Sequence, residues 1–193
     1  QEFILNSRGS KLFTCKWVPA NEEPKALIFL CHGYAMECSI TMNPGTAMRL
    51  AKQGYGVYGI DYEGHGKSSG LQGYIQNLDS VVQDCAQHFR NISGWGEKTE
   101  DKRGKKRYLM GESLGGAVTL LLHRTMPNFW DGAILVAPMC KVRMPLPHYR
   151  NYDNILLIAF ILLELFGEKD INIIIVNLVF CYGGEVSLVE AFA

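Results

Sequence analysis

Three continuous apolar runs constrain what this chain can fold into more than anything else in it. "KALIFLCHG" (25–33), "YGVYGIDY" (55–62) and "DGAILVAPMC" (131–140) have no alternation of wet and dry positions. Short runs of that kind are strands buried on both faces. "RYLM" (107–110) reads as a fourth, shorter strand. Between them lie helical patterns. "PGTAMRLAKQG" has Gly54 placed to end it, and in "NLDSVVQDCAQHFRNI" Leu78, Val81, Val82, Cys85, Ala86 and Phe89 share one helical face. "LGGAVTLLLHRT" follows "RYLM" as a third helix. Strands alternating with helices imply an α/β architecture, a mostly parallel sheet with helices on both faces. Ahead of it, "EFILN-SRGS-KLFTCKWVP" reads as two strands around an Arg8–Gly9 turn.

The strand-to-helix junction at "MGESLGG" (110–116) carries the chemistry. Gly111-Glu112-Ser113-Leu114-Gly115 fits the G-x-S-x-G elbow, in which a serine is exposed on a sharp turn at the carboxyl end of a sheet. The flanking glycines let the turn close and the helix pack, and the serine occupies a strained backbone region. The helix start behind it favours developing negative charge. Two other glycine patterns are weaker. "GYGVYG" (54–59) fits G-x-G-x-x-G but opens a strand, where a dinucleotide site needs it to open a helix. "GHGKS" (64–68) ends like a phosphate loop, yet the first glycine of that motif would fall on Asp61. His32 and His65 lie in glycine-rich loops after strands. A structural histidine bonding loop backbone is the expectation for both, with a base or ligand as the alternative.

The 193 residues suit about one domain and balance 19 basic against 19 acidic side chains. A net charge of zero gives no electrostatic reason to expect nucleic acid as a partner. The mixed-charge tract "GEKTEDKRGKKR" (96–107) reads as a solvated loop. Cys15, Cys31, Cys38, Cys85, Cys140 and Cys181 show no C-x-x-C spacing, so neither a zinc site nor a disulfide framework is expected. No cofactor or metal is expected either. The first residues do not read as a secretory signal, and a reducing, cytoplasmic setting is the expectation.

"FLCHGYAMECS", "YGVYGIDYEGHGKSSGLQGYI", "LMGESLGGAV" and "FWDGAILVAPMCK" closely resemble the plant monoacylglycerol lipase and caffeoylshikimate esterase group, within the serine aminopeptidase-like α/β-hydrolases. The resemblance covers residues 2–142. It implies the α/β-hydrolase fold and an esterase for acylglycerols, lysophospholipids or hydroxycinnamoyl esters, with peripheral association with membranes as a corollary. It implies Ser113 as nucleophile, with the backbone N–H groups of Tyr34 and Leu114 as the oxyanion hole. Asp61, His65 and Ser68 would only shape a loop.

After Lys141 the likeness fades, so the fold is expected to be incomplete. The reading is an N-terminal part over 1–142 and a divergent apolar tail over 143–193, with the family's cap and last strands missing. Triad order in this fold is Ser, then Asp or Glu, then His. Past Ser113 the chain has only His123 and His148. His123 is ten residues along the helix that leaves the elbow, roughly 15 Å up its axis at 1.5 Å per residue, too far to serve. His148 lies where the pattern is already lost. Asp170, in "LELFGEKD", is the candidate acid, and no base is identifiable. The tail is read as foreign to the family, arising from a gene-model error or an alternative transcript. A membrane-tethered segment and new core elements are the alternatives.

Overall fold

The structure is a computed structural model that describes residues 2–40, 45–94 and 104–139, together with the backbone of three strands at 172–176, 178–182 and 185–189. Its elements are β1 (Glu2–Leu5), β2 (Lys11–Trp17), β3 (Ala26–Cys31), α1 (Thr46–Lys52), β4 (Gly56–Ile60), α2 (Leu78–Ile92), β5 (Lys106–Glu112), α3 (Leu114–Thr125), β6 (Gly132–Val136), β7 (Asn172–Val176), β8 (Leu178–Tyr182) and β9 (Glu185–Val189). Seven strands form one sheet in the order β1-β2-β4-β3-β5-β6-β7, and β8 and β9 pair separately. The β1–β2 and β2–β4 pairings are antiparallel; those from β4 through β3, β5 and β6 to β7 are parallel.

The unbroken apolar runs have a direct cause. Every residue of β3 is buried. Side chains alternate across a strand, so Leu27, Phe29 and Cys31 join the core that α2 and α3 complete, while Ile28 and Leu30 join Ala47 of α1 and Val57 on the opposite face. Phe29 is the centre of the larger core, with its ring centroid 4.7 Å from Phe89 and 5.7 Å from Trp130. α2 starts where the side chain of Asn77 accepts the amide of Asp79 at 2.8 Å, an N-cap that satisfies one of the free amides of the first turn.

The N-terminal hairpin is fastened to this core by charge as well as by pairing. Asp84, on α2, is buried, and Arg8 donates to its two oxygens at 3.2 and 2.7 Å. Asn6 Nδ2 adds a third bond at 3.1 Å, and Arg8 also reaches Glu63 at 2.8 Å. Asp84 and then Glu63 raise the Arg8 pKa above its ordinary value, and Arg8 in turn lowers that of Glu63.

At the other edge the sheet runs on past residue 142. The backbone of "NIIIV" lies parallel to β6 with Gly132 opposite Asn172 and Val136 opposite Val176. A β-branched aliphatic run is suited to a strand beside a buried neighbour. β6 itself is shorter than the run "DGAILVAPMC" suggested: Ala137 has φ 42° and Pro138 follows, which ends the strand at Val136. Among the described residues no helix is long and apolar enough to cross a membrane.

Candidate active site

Ser113 sits between β5 and α3, half-buried, with φ 53° and ψ −116°. A non-glycine residue in that region costs about 1–3 kcal/mol and needs its surroundings to hold it. The loop after β6 does so. The Ser113 amide donates to the Val136 carbonyl at 3.0 Å, and the Ser113 carbonyl accepts from Met139 at 2.8 Å and from Gly116 at 2.9 Å. The strained residue is thus held at both ends of its own peptide unit, while its Oγ makes no bond to any side chain among the described residues. Leu114 opens α3. Amides in the first turn of a helix have no partner within it, so the Leu114 N–H is available at the side of the turn.

The second half of the site comes from the turn after β3. A Cβ built at Gly33 would lie 3.6 Å from Ser113 Cβ and 3.6 Å from the Glu112 carbonyl, so the Gly33 backbone rests directly against the elbow. A Cβ at Gly115 would drive into the carbonyl of Cys31. Gly115 is therefore the close-approach position that lets the end of β3 and the start of α3 meet, while Gly33 lies in ordinary contact with the elbow.

His32 fixes how that turn is presented. Its ring is buried and stacked on Tyr62 with centroids 3.8 Å apart. The Tyr62 amide donates to Nε2 at 3.0 Å, so the ring proton is on Nδ1, which donates to the Gly33 carbonyl at 2.8 Å. In a trans peptide the N–H points opposite to the C=O. Holding the Gly33 carbonyl therefore aims the Tyr34 N–H the other way. Burial lowers the His32 pKa to about 3, so the imidazole stays neutral at ordinary pH. A ring with both nitrogens committed to backbone is a structural histidine.

The remaining loop residues play supporting parts. Asp61 accepts the amides of Cys38 at 2.7 Å and Lys67 at 2.9 Å, and Ser68 Oγ donates to the Asp61 carbonyl at 2.7 Å. Asp61 and Ser68 thus tie the loops after β3 and β4 together. His65 is buried against Tyr34, with ring centroids 5.4 Å apart; its Nδ1 faces the Glu63 carbonyl at 3.4 Å and its Nε2 has no partner among the described residues. Burial lowers its pKa. His123 is buried near the end of α3.

His148 and Asp170 lie outside the described residues. The strand that follows Asp170 enters the sheet at Asn172, level with the start of β6, whereas Ser113 is bonded at the other end of β6. Those levels are about 13 Å apart along the strand. Two contributors to the site were not evident in the sequence: the Val136–Met139 clamp and the His32 bond that orients the Gly33–Tyr34 peptide. The one signal for the clamp is Ala-Pro directly after a buried run, and the one for the bond is the His-Gly pair after β3.

Residues 22–172 match the family described as serine aminopeptidase, S33. The match reaches past residue 142, where the motif resemblance had ended. Caffeoylshikimate esterase of Arabidopsis thaliana is 31% identical over 132 residues, covering 68% of this chain and 38% of that protein. Human monoglyceride lipase is 32% identical over 140 residues, covering 70% of this chain and 42% of the relative. The chain thus spans about two-fifths of the length of these curated relatives. Among solved structures, Est1E from Butyrivibrio proteoclasticus with bound ferulic acid superposes with a TM-score of 0.64 at 19% identity, covering 91% of this chain and 77% of that one. A soluble variant of the Saccharomyces cerevisiae monoglyceride lipase, in complex with a substrate analog, superposes with a TM-score of 0.62 at 20% identity, covering 85% and 52%. With its sheet order, its strained serine and this match across most of its length, the chain belongs to the serine aminopeptidase S33 family of α/β-hydrolases.

Proposed function

We propose that this chain carries the nucleophile and oxyanion-hole portion of a serine carboxylester hydrolase for acylglycerol, lysophospholipid or hydroxycinnamoyl esters. The observation that carries the reading is the Ser113 turn: a strained residue, clamped by the loop after β6, with the Gly33 backbone against it. Ser113 Oγ would attack the ester carbonyl. The Leu114 and Tyr34 amides would stabilise the oxyanion, a contribution worth about 3–4 kcal/mol per donor in comparable sites. Collapse of that intermediate expels the alcohol and leaves an acyl-serine, which water then hydrolyses.

The proton has to go somewhere, and no base for it is identified among the described residues. Both His32 nitrogens are occupied by backbone, and His123 lies far along α3. Asp170 lies outside the described residues, and β7, which follows it, begins level with the start of β6, at the opposite end of that strand from the Val136 carbonyl that holds Ser113. The chain as given is therefore a poor catalyst, with the base supplied by sequence of the kind its longer relatives carry. The substrate range follows the relatives: a caffeoylshikimate esterase, monoglyceride lipases and, at 28% identity, lysophospholipase L2 of Escherichia coli. Exposed Tyr34, Leu71 and Tyr74 lie on the loops after β3 and β4, at the same end of the sheet as Ser113, and suit an approach to lipid surfaces. A reducing compartment suits the buried free thiols Cys15, Cys31, Cys38 and Cys85.

A fluorophosphonate probe tests the assignment, since labelling requires an activated serine. A version of the chain continued with a family Asp and His should label at Ser113, and its Ser113→Ala variant should not. No labelling of the continued version, or labelling at another residue, would favour a binding protein built on the same fold.

A further inference from the structure

Cys15 and Cys38 belong to parts of the chain that only the fold brings together. Cys15 is on β2, opposite Gly59 of β4. Side chains of such a cross-strand pair share one face of the sheet. Gly59 leaves its place on that face empty, and Cys38, from the turn after β3, fills it: a Cβ built at Gly59 would lie 2.8 Å from Cys38 Cβ and 3.5 Å from Cys38 Sγ. Phe13 completes a small apolar cluster around the two thiols. The two thiols therefore share one buried pocket, and each perturbs the other: Cys38 lowers the pKa of Cys15, and Cys15 raises that of Cys38. The Cys38 backbone is pinned as well, because its amide donates to Asp61 at 2.7 Å.

We infer that Cys15 and Cys38 form a peroxide-responsive pair that closes to a disulfide in the folded protein. The asymmetry of the pair sets the order of events. Beside Cys38, Cys15 is held below the ordinary thiol range, and Cys15 together with burial holds Cys38 above it. The Cys15 thiolate attacks one oxygen of hydrogen peroxide; the O–O bond breaks, hydroxide leaves, and Cys15 becomes a sulfenic acid. Cys38 then loses its proton, and its sulfur attacks the Cys15 sulfur. The S–S bond forms as the S–O bond breaks, and the departing hydroxide takes up a proton. Two thiols are oxidised by two electrons in all, and one peroxide is reduced to two waters.

A second thiol pair in the molecule provides the contrast. Cys31 of β3 and Cys85 of α2 also neighbour one another, with Cys31 helping to raise the Cys85 pKa, and both lie in the large core. Exposing them means parting α2 from the sheet. Cys38 instead lies on a turn whose neighbours Tyr34, Ala35 and Ile40 are exposed, so a local opening of that turn admits a molecule the size of peroxide. The resulting bond would fasten the turn that carries Tyr34 to β2.

The test uses the full chain, purified in reductant, desalted and exposed to hydrogen peroxide, with non-reducing digestion and mass spectrometry. A peptide linking Cys15 to Cys38, two hydrogens lighter than its thiol halves and reversed by dithiothreitol, should appear before any product at Cys31 or Cys85. In urea that preference should vanish. In Cys38→Ala, Cys15 should accumulate as a sulfenic acid that dimedone traps. Earlier oxidation of Cys31 or Cys85, the same Cys15–Cys38 preference persisting in urea, separate sulfinic acids at Cys15 and Cys38, or no reaction with peroxide would each overturn the inference.

Discussion

The amide of Tyr62, just beyond β4, donates to Nε2 of His32, just beyond β3, at 3.0 Å. This bond ties the two loops on that side of the site and leaves His32 only Nδ1–H with which to hold the Gly33 carbonyl. It also makes protonation of the ring incompatible with the fold, because a charged imidazole has no acceptor nitrogen for Tyr62.

Stability should therefore fall on mild acidification. Burial lowers His32 to about 3 and His88 to about 4, while the unfolded chain takes up protons near pH 6.5. The unfolded state then binds more protons throughout the window between those values. The stability is fully present above about pH 6.5 and is lost at up to roughly 1.4 kcal/mol per pH unit per histidine below it. Urea midpoints followed by circular dichroism from pH 8 to pH 4.5 should show the fall. His88 Nε2 has no partner among the described residues, so His88→Leu should reduce the slope with little loss at pH 8. An unchanged slope would remove His88 from this account.

Gly115→Ala should damage the protein even though alanine favours a helix by about 1 kcal/mol over glycine. The added methyl would land on the Cys31 carbonyl, and forcing β3 and α3 apart costs about 3 kcal/mol or more. Gly104→Ala meets nothing within 4 Å and should be neutral. Comparing thermal midpoints of the two variants checks the contrast.

Arg8→Ala removes the principal cation from Asp84 while leaving that carboxylate buried on α2. Arg8 is itself partly exposed, which softens the loss, and a destabilisation of about 2 kcal/mol is expected. Arg8→Ala combined with Asp84→Asn should recover part of it. A double variant no more stable than Arg8→Ala alone would show that packing of the Arg8 stem dominates.

With short-chain nitrophenyl esters the chain as given should turn over barely above background, and Ser113→Ala should change little. Loss of the base from a serine triad costs on the order of a millionfold in turnover. A version continued with the family's Asp and His should hydrolyse monoacylglycerol or hydroxycinnamoyl esters, with Ser113→Ala abolishing the activity. Brisk, Ser113-dependent hydrolysis by the shorter chain would point to His148 as the first residue to mutate.

The elements that position Ser113 were legible because each has a local cause. A run such as "ALIFLC" has no polar face to offer water, and "LGGAVTLLLHRT" is helical from Leu114 to Thr125 as its pattern indicates. The contacts that hold the elbow were not legible, because they join residues distant in sequence through backbone atoms. The carbonyl of Val136 gives no sign in its residue type that it will accept the Ser113 amide. The same applies to Asp84, whose place on an amphipathic helix gave no hint of burial beneath Arg8. β7 was missed for a different reason: "GEKD" (167–170) reads as the end of the apolar run before it, which leaves "INIIIVNLV" in the tail and not as a strand of the sheet.

The parallel pairing of β3 with β5 also bears on when the site forms. Cys31 stands opposite Gly111, so the strands that present Gly33 and Ser113 are neighbours in space although about eighty residues separate them in sequence. Between them the chain runs out to β4 and back through α2. Closing so large a loop is slow, which favours late assembly of the site. A slip of one residue between β3 and β5 would turn every β3 side chain to the wrong face and carry the Gly33 turn away from Ser113. The hydrophobic core thus proofreads the active site, since a register that buries Phe29 also brings Gly33 to the serine.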